Sequence, residues 1–171
     1  MTAPVWHTAL TPDQQLQIRS LVAAATSSDG IAPVGEQVLR ELPHSRTGHL
    51  LTTVDGVVAG YLNLTPGVEA DGATGDSMAE LVVHPDARRR GMGSALLAAA
   101  IAQTDGRVRF WAHGTRPWAR AAAHALRMKA VRELMQMRRP LSDLPDRIEA
   151  EGGGVRTCAG PTHRPESLRV N

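Results

Sequence analysis

The run Glu80-Leu81-Val82-Val83-His84-Pro85-Asp86-Ala87-Arg88-Arg89-Arg90-Gly91-Met92-Gly93-Ser94 concentrates the residue types that bind an anion. A phosphate needs donors converging from several directions, and a turn into a helix supplies them through unbonded amides, the positive dipole end and glycines that permit close approach. Arg89 to Ser94 can form that cradle. The third glycine of a dinucleotide fingerprint is missing, as is the Gly-Lys-Ser/Thr ending of a P-loop, so both of those readings fall. A solvated arginine turn is the plainer alternative; the preceding apolar strand, the glycine spacing and the following helix former favour the anion site.

The flanking elements must place that turn. Thr11-Pro12-Asp13-Gln14 offers an N-cap, a proline at the first helical position and a capping-box glutamine, and Leu16, Ile18, Leu21, Val22 and Ala25 follow at near-helical spacing. The spacing predicts a first helix ending near Ser27 to Gly30. Val34 to Leu42 predicts a second, stopped by Pro43. Leu50 to Val54 and Val57 to Leu62 flank Asp55-Gly56, the preferred composition of a two-residue hairpin. Gly67 to Ser77 reads as a flexible loop. Met78 to Val83 is a strand, Gly91 to Thr104 a strong helix, Arg107 to Ala112 a strand, Pro117 to Met128 a helix and Val131 to Met137 a closing strand. The order is α-α-β-β-β-α-β-α-β, an α/β fold with a mixed central sheet flanked by helices.

A length of 171 residues allows one complete domain. It is expected over residues 1–141, with 142–154 as a linker and 155–171 as the truncated start of a second domain, too short to bury a core. The net charge of +2 disfavours a broad electrostatic grip on nucleic acid or on a membrane. The single cysteine, Cys158, provides neither an internal disulfide nor a multi-thiolate metal site, which suits a cytoplasmic, metal-free protein. No stretch approaches the ~18 apolar residues of a membrane span. His44 and His49 lack metal-ligand spacing and read as bland loop or strand histidines. Phe110, Trp111 and Trp118 read as core aromatics rather than stacking platforms for nucleic acid.

Arg88-x-x-Gly91-x-Gly93 after a strand ending in His84-Pro85 resembles the acetyl-CoA signature of the GCN5-related N-acetyltransferases, and the element order agrees along residues 1 to about 141. The resemblance implies that acetyl-CoA is the cosubstrate, with Leu81, Val82 and Val83 lining the pantetheine and thioester. Arg89, Arg90, Gly91, Met92, Gly93 and Ser94 would then hold the pyrophosphate. Further stretches, Ala32 to Leu42, Gly60 to Leu64, Ala79 to Pro85, Phe110 to Gly114, Val131 to Leu134 and Gln136 to Leu141, resemble one branch of the family. Its members carry two such domains in tandem and acetylate the cysteinyl amine of a cysteine–glucosamine–inositol thiol precursor. That implies a small amino-sugar thiol as acceptor, a substrate contact at Glu36, and a second acetyltransferase domain as partner in cis or in trans. Without the resemblance, Glu36 reads as a first-turn glutamate favoured by the helix dipole.

Amide formation needs a neutral amine, so an ammonium must lose a proton to a base, directly or through water. Glu80 and His113 are the candidate catalytic residues, and main-chain amides near Val82 and Val83 are candidates to polarise the thioester oxygen. No covalent enzyme intermediate is required, so Cys158 has no expected role. Two departures weigh against catalysis by this chain. The family's tyrosine in the helix after the fifth strand is replaced by Ala121-Ala122-Ala123-His124, with Tyr61 the only tyrosine, and a customary glycine at that helix end is Arg127. The competing expectation is therefore a non-catalytic acetyl-CoA-binding module supporting a partner domain; a third is an acetyltransferase of another amine.

Overall fold

The computed structural model describes residues 2–68 and 74–135. The elements are β1 (Val5–His7), α1 (Pro12–Asp29), α2 (Glu36–Glu41), β2 (Gly48–Val54), β3 (Val57–Val68), β4 (Thr74–Val83), α3 (Met92–Gln103), β5 (Val108–Phe110) and α4 (Pro117–Ala125). The strands form one sheet in the order β1-β2-β3-β4-β5, antiparallel except for the parallel β4/β5 pair. The mixed sheet flanked by helices is the architecture expected from the pattern.

Local chemistry explains the element ends. The Gln14 amide donates to Thr11 Oγ1 (3.2 Å) and the Thr11 amide to Gln14 Oε1 (2.9 Å), so two orphan donors at the start of α1 are satisfied reciprocally. Gly30 closes α1 at φ 70°, its amide bonded to the Thr26 carbonyl. Asp55 and Gly56 both have positive φ (50° and 82°), the twist that a two-residue hairpin demands, and Val54 pairs with Val57 across it.

Side chains alternate across the sheet and divide the core into two faces. On one face Val58, Tyr61 and Val82 pack with Ile18, Leu21, Val22 and Ala25 of α1 and with Val38 and Leu42. On the other, Leu50, Leu62, Leu64 and Ala79 pack with Leu96 and Ala100 of α3, joined by Leu81, Val83 and Phe110. Each fully buried Leu or Ile contributes about 1.5–3 kcal/mol of transfer free energy. Beneath α1 and α2 the sheet also buries a polar group: His49 Nδ1 lies 2.9 Å from the Tyr61 hydroxyl, and Asn63 Nδ2 donates to Thr47 Oγ1 (2.8 Å).

Three expectations are corrected. Val5–His7 forms an edge strand through pairing with Leu51 to His49, which so short a segment does not announce by itself. Part of the expected loop at Gly67 to Ser77 is strand: β3 runs to Val68 and β4 begins at Thr74, with a register shift between Thr65 and Gly67. The closing strand expected over Val131 to Met137 does not form over 131–135, which are exposed and irregular. The described residues up to Ala130 form one compact unit. The expected linker 142–154 and second-domain segment 155–171 lie outside the described residues.

Candidate functional site

Strand β4 is paired on both sides for only part of its length. With β3 it pairs through Val83, whereas the parallel register with β5 covers only Ser77↔Val108, Met78↔Arg109 and Ala79↔Phe110. One further bond, from the Trp111 amide to the Ala79 carbonyl (3.0 Å), closes the contact. Beyond it β4 and β5 part.

The register decides which main-chain groups the parting exposes. The Ser77 amide donates to the Arg107 carbonyl (3.0 Å), so the odd-numbered residues of β4 face β5; the His84 amide donates to the Ala59 carbonyl (2.8 Å), so the even-numbered ones face β3. No register shift interrupts the pairs from Leu64↔Ala79 to Gly60↔Val83. The amides of Leu81 and Val83 therefore point to the side that β5 leaves. The Val82 main chain is turned toward Tyr61, and its side chain is buried against α1. Val82 thus supports the edge without presenting its amide there.

The exposed edge runs directly into the basic turn. Pro85–Ala87 makes one 3-10 turn, Arg89 takes φ 62°, and Gly91 caps α3 at φ 81° with no side-chain cap. The first intrahelical bond joins the Ala95 amide to the Gly91 carbonyl (3.0 Å), which leaves the amides of Met92, Gly93 and Ser94 without helical partners at the positive end of a twelve-residue helix. Among the described residues, a Cβ on Gly91 or Gly93 would meet nothing closer than Val83 Cγ2 at 3.8 Å from Gly93, so none of them covers the turn. Arg89, Arg90 and Gly91 are exposed. The Met92 side chain instead packs down onto Gly60, so only its amide faces the turn. Open amides, open space and two exposed guanidiniums fit a diphosphate.

The two acid–base candidates meet where β4 and β5 separate. His113, just past β5, places Nε2 at 2.8 Å from Glu80 Oε2, and the Gly35 amide donates to the same oxygen (2.7 Å). A carboxylate only accepts, so the imidazole proton of this pair sits on Nε2 and the Nδ1 lone pair is left to take a proton. The His113 ring rests edge-on against Trp111, at 6.2 Å between centroids. Glu36 adjoins Gly35 at the start of α2, close in sequence to the Glu80 contact, but its exposed carboxylate is paired with Arg40 (2.7 Å).

Further residues complete the picture. Arg88 does not face the basic turn as an unbound cation: its guanidinium forms a bidentate pair with Asp29 (both bonds 2.8 Å). Trp118, expected in the core, is 43% exposed, with Arg88 and Arg116 lying over its ring at 5.1 and 5.7 Å. His124 is exposed on α4. Arg127 takes φ 53°, and the Met128 amide reaches the Ala123 carbonyl (2.9 Å), so the left-handed helix end persists without its customary glycine.

The profile of the acetyltransferase (GNAT) family matches residues 17–129. A mycothiol acetyltransferase of Mycolicibacterium paratuberculosis is 57% identical over 178 residues, covering all of this chain and 55% of that protein. One from Mycolicibacterium smegmatis is 54% identical over 171 residues, covering all of this chain and 57% of its own length. The chain thus spans about half the length of the curated relatives it matches. Among solved structures, a ribosomal-protein-alanine N-acetyltransferase from Brucella melitensis aligns with a TM-score of 0.59 at 17% identity, over 80% of this chain and 99% of that one. An aminoglycoside N-acetyltransferase in complex with CoA aligns at 0.52 and 15% identity, over 80% and 98%. At these identities the structural likeness concerns the fold.

Proposed function

This chain belongs to the acetyltransferase (GNAT) family, and on that footing we propose that it binds acetyl-CoA along the open edge of β4 and transfers the acetyl group to the cysteinyl amine of a cysteinyl–glucosaminyl–inositol, giving mycothiol. The observation that carries this reading is the main chain of Leu81 and the amide of Val83, unpaired by β5 and continuous with the Gly91-capped start of α3. A pantetheine arm would bond to that edge as an added strand, and the diphosphate would sit on the amides of Met92, Gly93 and Ser94 beside Arg89 and Arg90.

The chemistry follows from the position of the dyad. His113 Nδ1 takes a proton from the acceptor ammonium, directly or through water, while Glu80 holds the ring and compensates the imidazolium that results. The freed amine attacks the thioester carbonyl, whose oxygen is polarised by an outward amide of β4, Leu81 or Val83. The C–N bond forms, the C–S bond breaks, and CoA departs as a thiolate that takes up a proton. Glu36, at the entry to α2, is the proposed contact to the acceptor's hydroxyl or ammonium groups once released from Arg40. The cytoplasm, where both acetyl-CoA and a free thiol are available, is the proposed compartment.

The alternative is an acetyl-CoA-binding half that supports a second acetyltransferase domain, in cis or in trans. It is favoured by α4, where Ala121, Ala122 and Ala123 offer no acid to the departing thiolate and His124 is solvated. Calorimetric titration with CoA, run beside a thiol-release assay with the cysteinyl amino-sugar, separates the readings. Binding with turnover supports catalysis by this chain, and binding without turnover supports the accessory role. A different preferred amine in an acceptor screen would replace the substrate.

A further inference from the structure

Three elements remote from one another in sequence converge on Arg88. Its Nη1 and Nη2 each donate to one oxygen of Asp29 at 2.8 Å, its Nε donates to the Val83 carbonyl (3.2 Å), and its Cζ lies 5.1 Å from the centre of the Trp118 ring. Asp29 is the last residue of α1, Val83 the last of β4, and Trp118 stands in the first turn of α4. The carboxylate side chain is only 8% exposed. Its position is costly in isolation, because a carboxylate at a helix C-terminus opposes the dipole and a buried charge must be compensated. The fork of Arg88 compensates both and holds the Asp29 carboxyl below the usual carboxylate range.

The residue that follows Arg88 has a different problem. Arg89 is held at φ 62°, a left-handed conformation that a side chain with a Cβ adopts at a cost of about 1–2 kcal/mol. Such a conformation persists when its surroundings over-determine it. The Asp29–Arg88 fork fixes one side of Arg89, and Gly91 with the start of α3 fixes the other.

We propose that Asp29 is a positioning residue for the nucleotide end of the donor: by locking Arg88 it holds the left-handed Arg89 and sets the anion turn in register with the open edge of β4. The inference rests on the donor site proposed above. Asp29 touches no part of the donor, and its effect is confined to groups that the turn receives, the diphosphate and what lies beyond it. Pantetheine, which ends before the diphosphate, is indifferent to it.

The test uses the full chain with CoA and pantetheine as separate probes, CoA by calorimetry and pantetheine by NMR titration. Wild-type binding of CoA is measured first; its absence overturns the donor site itself, and this inference with it. Asp29→Ala is expected to weaken CoA on the order of tenfold, a coupling typical of residues in one ion-pair network, while pantetheine affinity stays unchanged. Asp29→Asn, which retains one acceptor for Arg88, is expected to fall between wild type and Asp29→Ala and keeps the test usable if the alanine variant folds poorly. Equal losses for both probes would reveal a general loosening of the fold and overturn the proposal. So would unchanged CoA affinity in both variants.

Discussion

Gly91 offers the sharpest perturbation of the proposed donor site, because its two roles separate cleanly. Its φ of 81° is strained for any side chain, yet a Cβ there would meet no described residue within 4 Å. Asparagine and aspartate are the residues with a Cβ that best tolerate this conformation, so Gly91→Asn and Gly91→Asp should each lose about 1 kcal/mol of stability or less. The two differ in charge alone. A carboxylate placed about 5 Å from a phosphate charge, in an effective dielectric between bulk water and ~20, opposes binding by about 1–3 kcal/mol per unit charge. Against the two charges of a diphosphate this sums to about 2–6 kcal/mol, so Gly91→Asp should weaken CoA by roughly thirtyfold or more relative to Gly91→Asn. Thermal melting checks that the two variants are equally folded, and calorimetry with CoA at constant ionic strength reads the difference. Equal affinities for the aspartate and asparagine variants would refute the placement of the diphosphate over this turn.

Other positions make separate demands. Glu80→Gln and His113→Ala should lower the rate of amide formation by about a hundredfold or more while leaving CoA affinity within a factor of two or so, as steady-state kinetics and calorimetry would read. Gly60→Ala would set a Cβ 2.6 Å from Thr52 Cγ2 and 2.7 Å from Met92 Sδ. Overpacking of that kind costs about 1–3 kcal/mol, and a lowered melting temperature should be accompanied by weaker CoA binding because Met92 begins α3. Arg127→Gly should raise stability by about 1 kcal/mol by relieving φ 53°, a gain visible in chemical denaturation. Burial lowers the pKa of His49 from 6.5. The unfolded chain then binds the proton more readily, so stability should be flat above that value and decline as pH falls below it, less so in His49→Gln; parallel declines would contradict the assignment.

Much of the fold was legible because its signals are local. The Thr11-Pro12-Asp13-Gln14 box starts α1 where its chemistry indicates, Asp55-Gly56 makes the hairpin, and Arg88 to Ser94 marks a turn into a helix. The misreadings fall where long-range pairing outweighs local preference. Gly67, Val68 and Thr74 to Ser77 have the composition of a loop, yet β3 and β4 pair through them, and Val5–His7 is a strand only because β2 lies beside it. At the candidate site, the sequence named Glu80 and His113 but not their direct bond across 33 positions. It kept Arg88, as the head of the signature, apart from Arg89 and Arg90, but did not show its bond to Asp29 across 59 positions. Trp118 was misjudged for a related reason, since an aromatic ring under two guanidiniums has the same composition as one in a core. Val82 is separated from Leu81 and Val83 only by the alternation of the paired strand, which requires the register.

The length of β4 that no described strand pairs past Ala79 on the β5 side also bears on handling the protein. A strand edge with unpaired amides, flanked by the partly exposed side chains of Leu81 and Val83, is a template on which another extended chain can add itself. Filling that edge with CoA would remove the template and draw the folding equilibrium toward the native state by mass action. Preparations kept with the nucleotide should stay clear on warming, where those without it turn turbid.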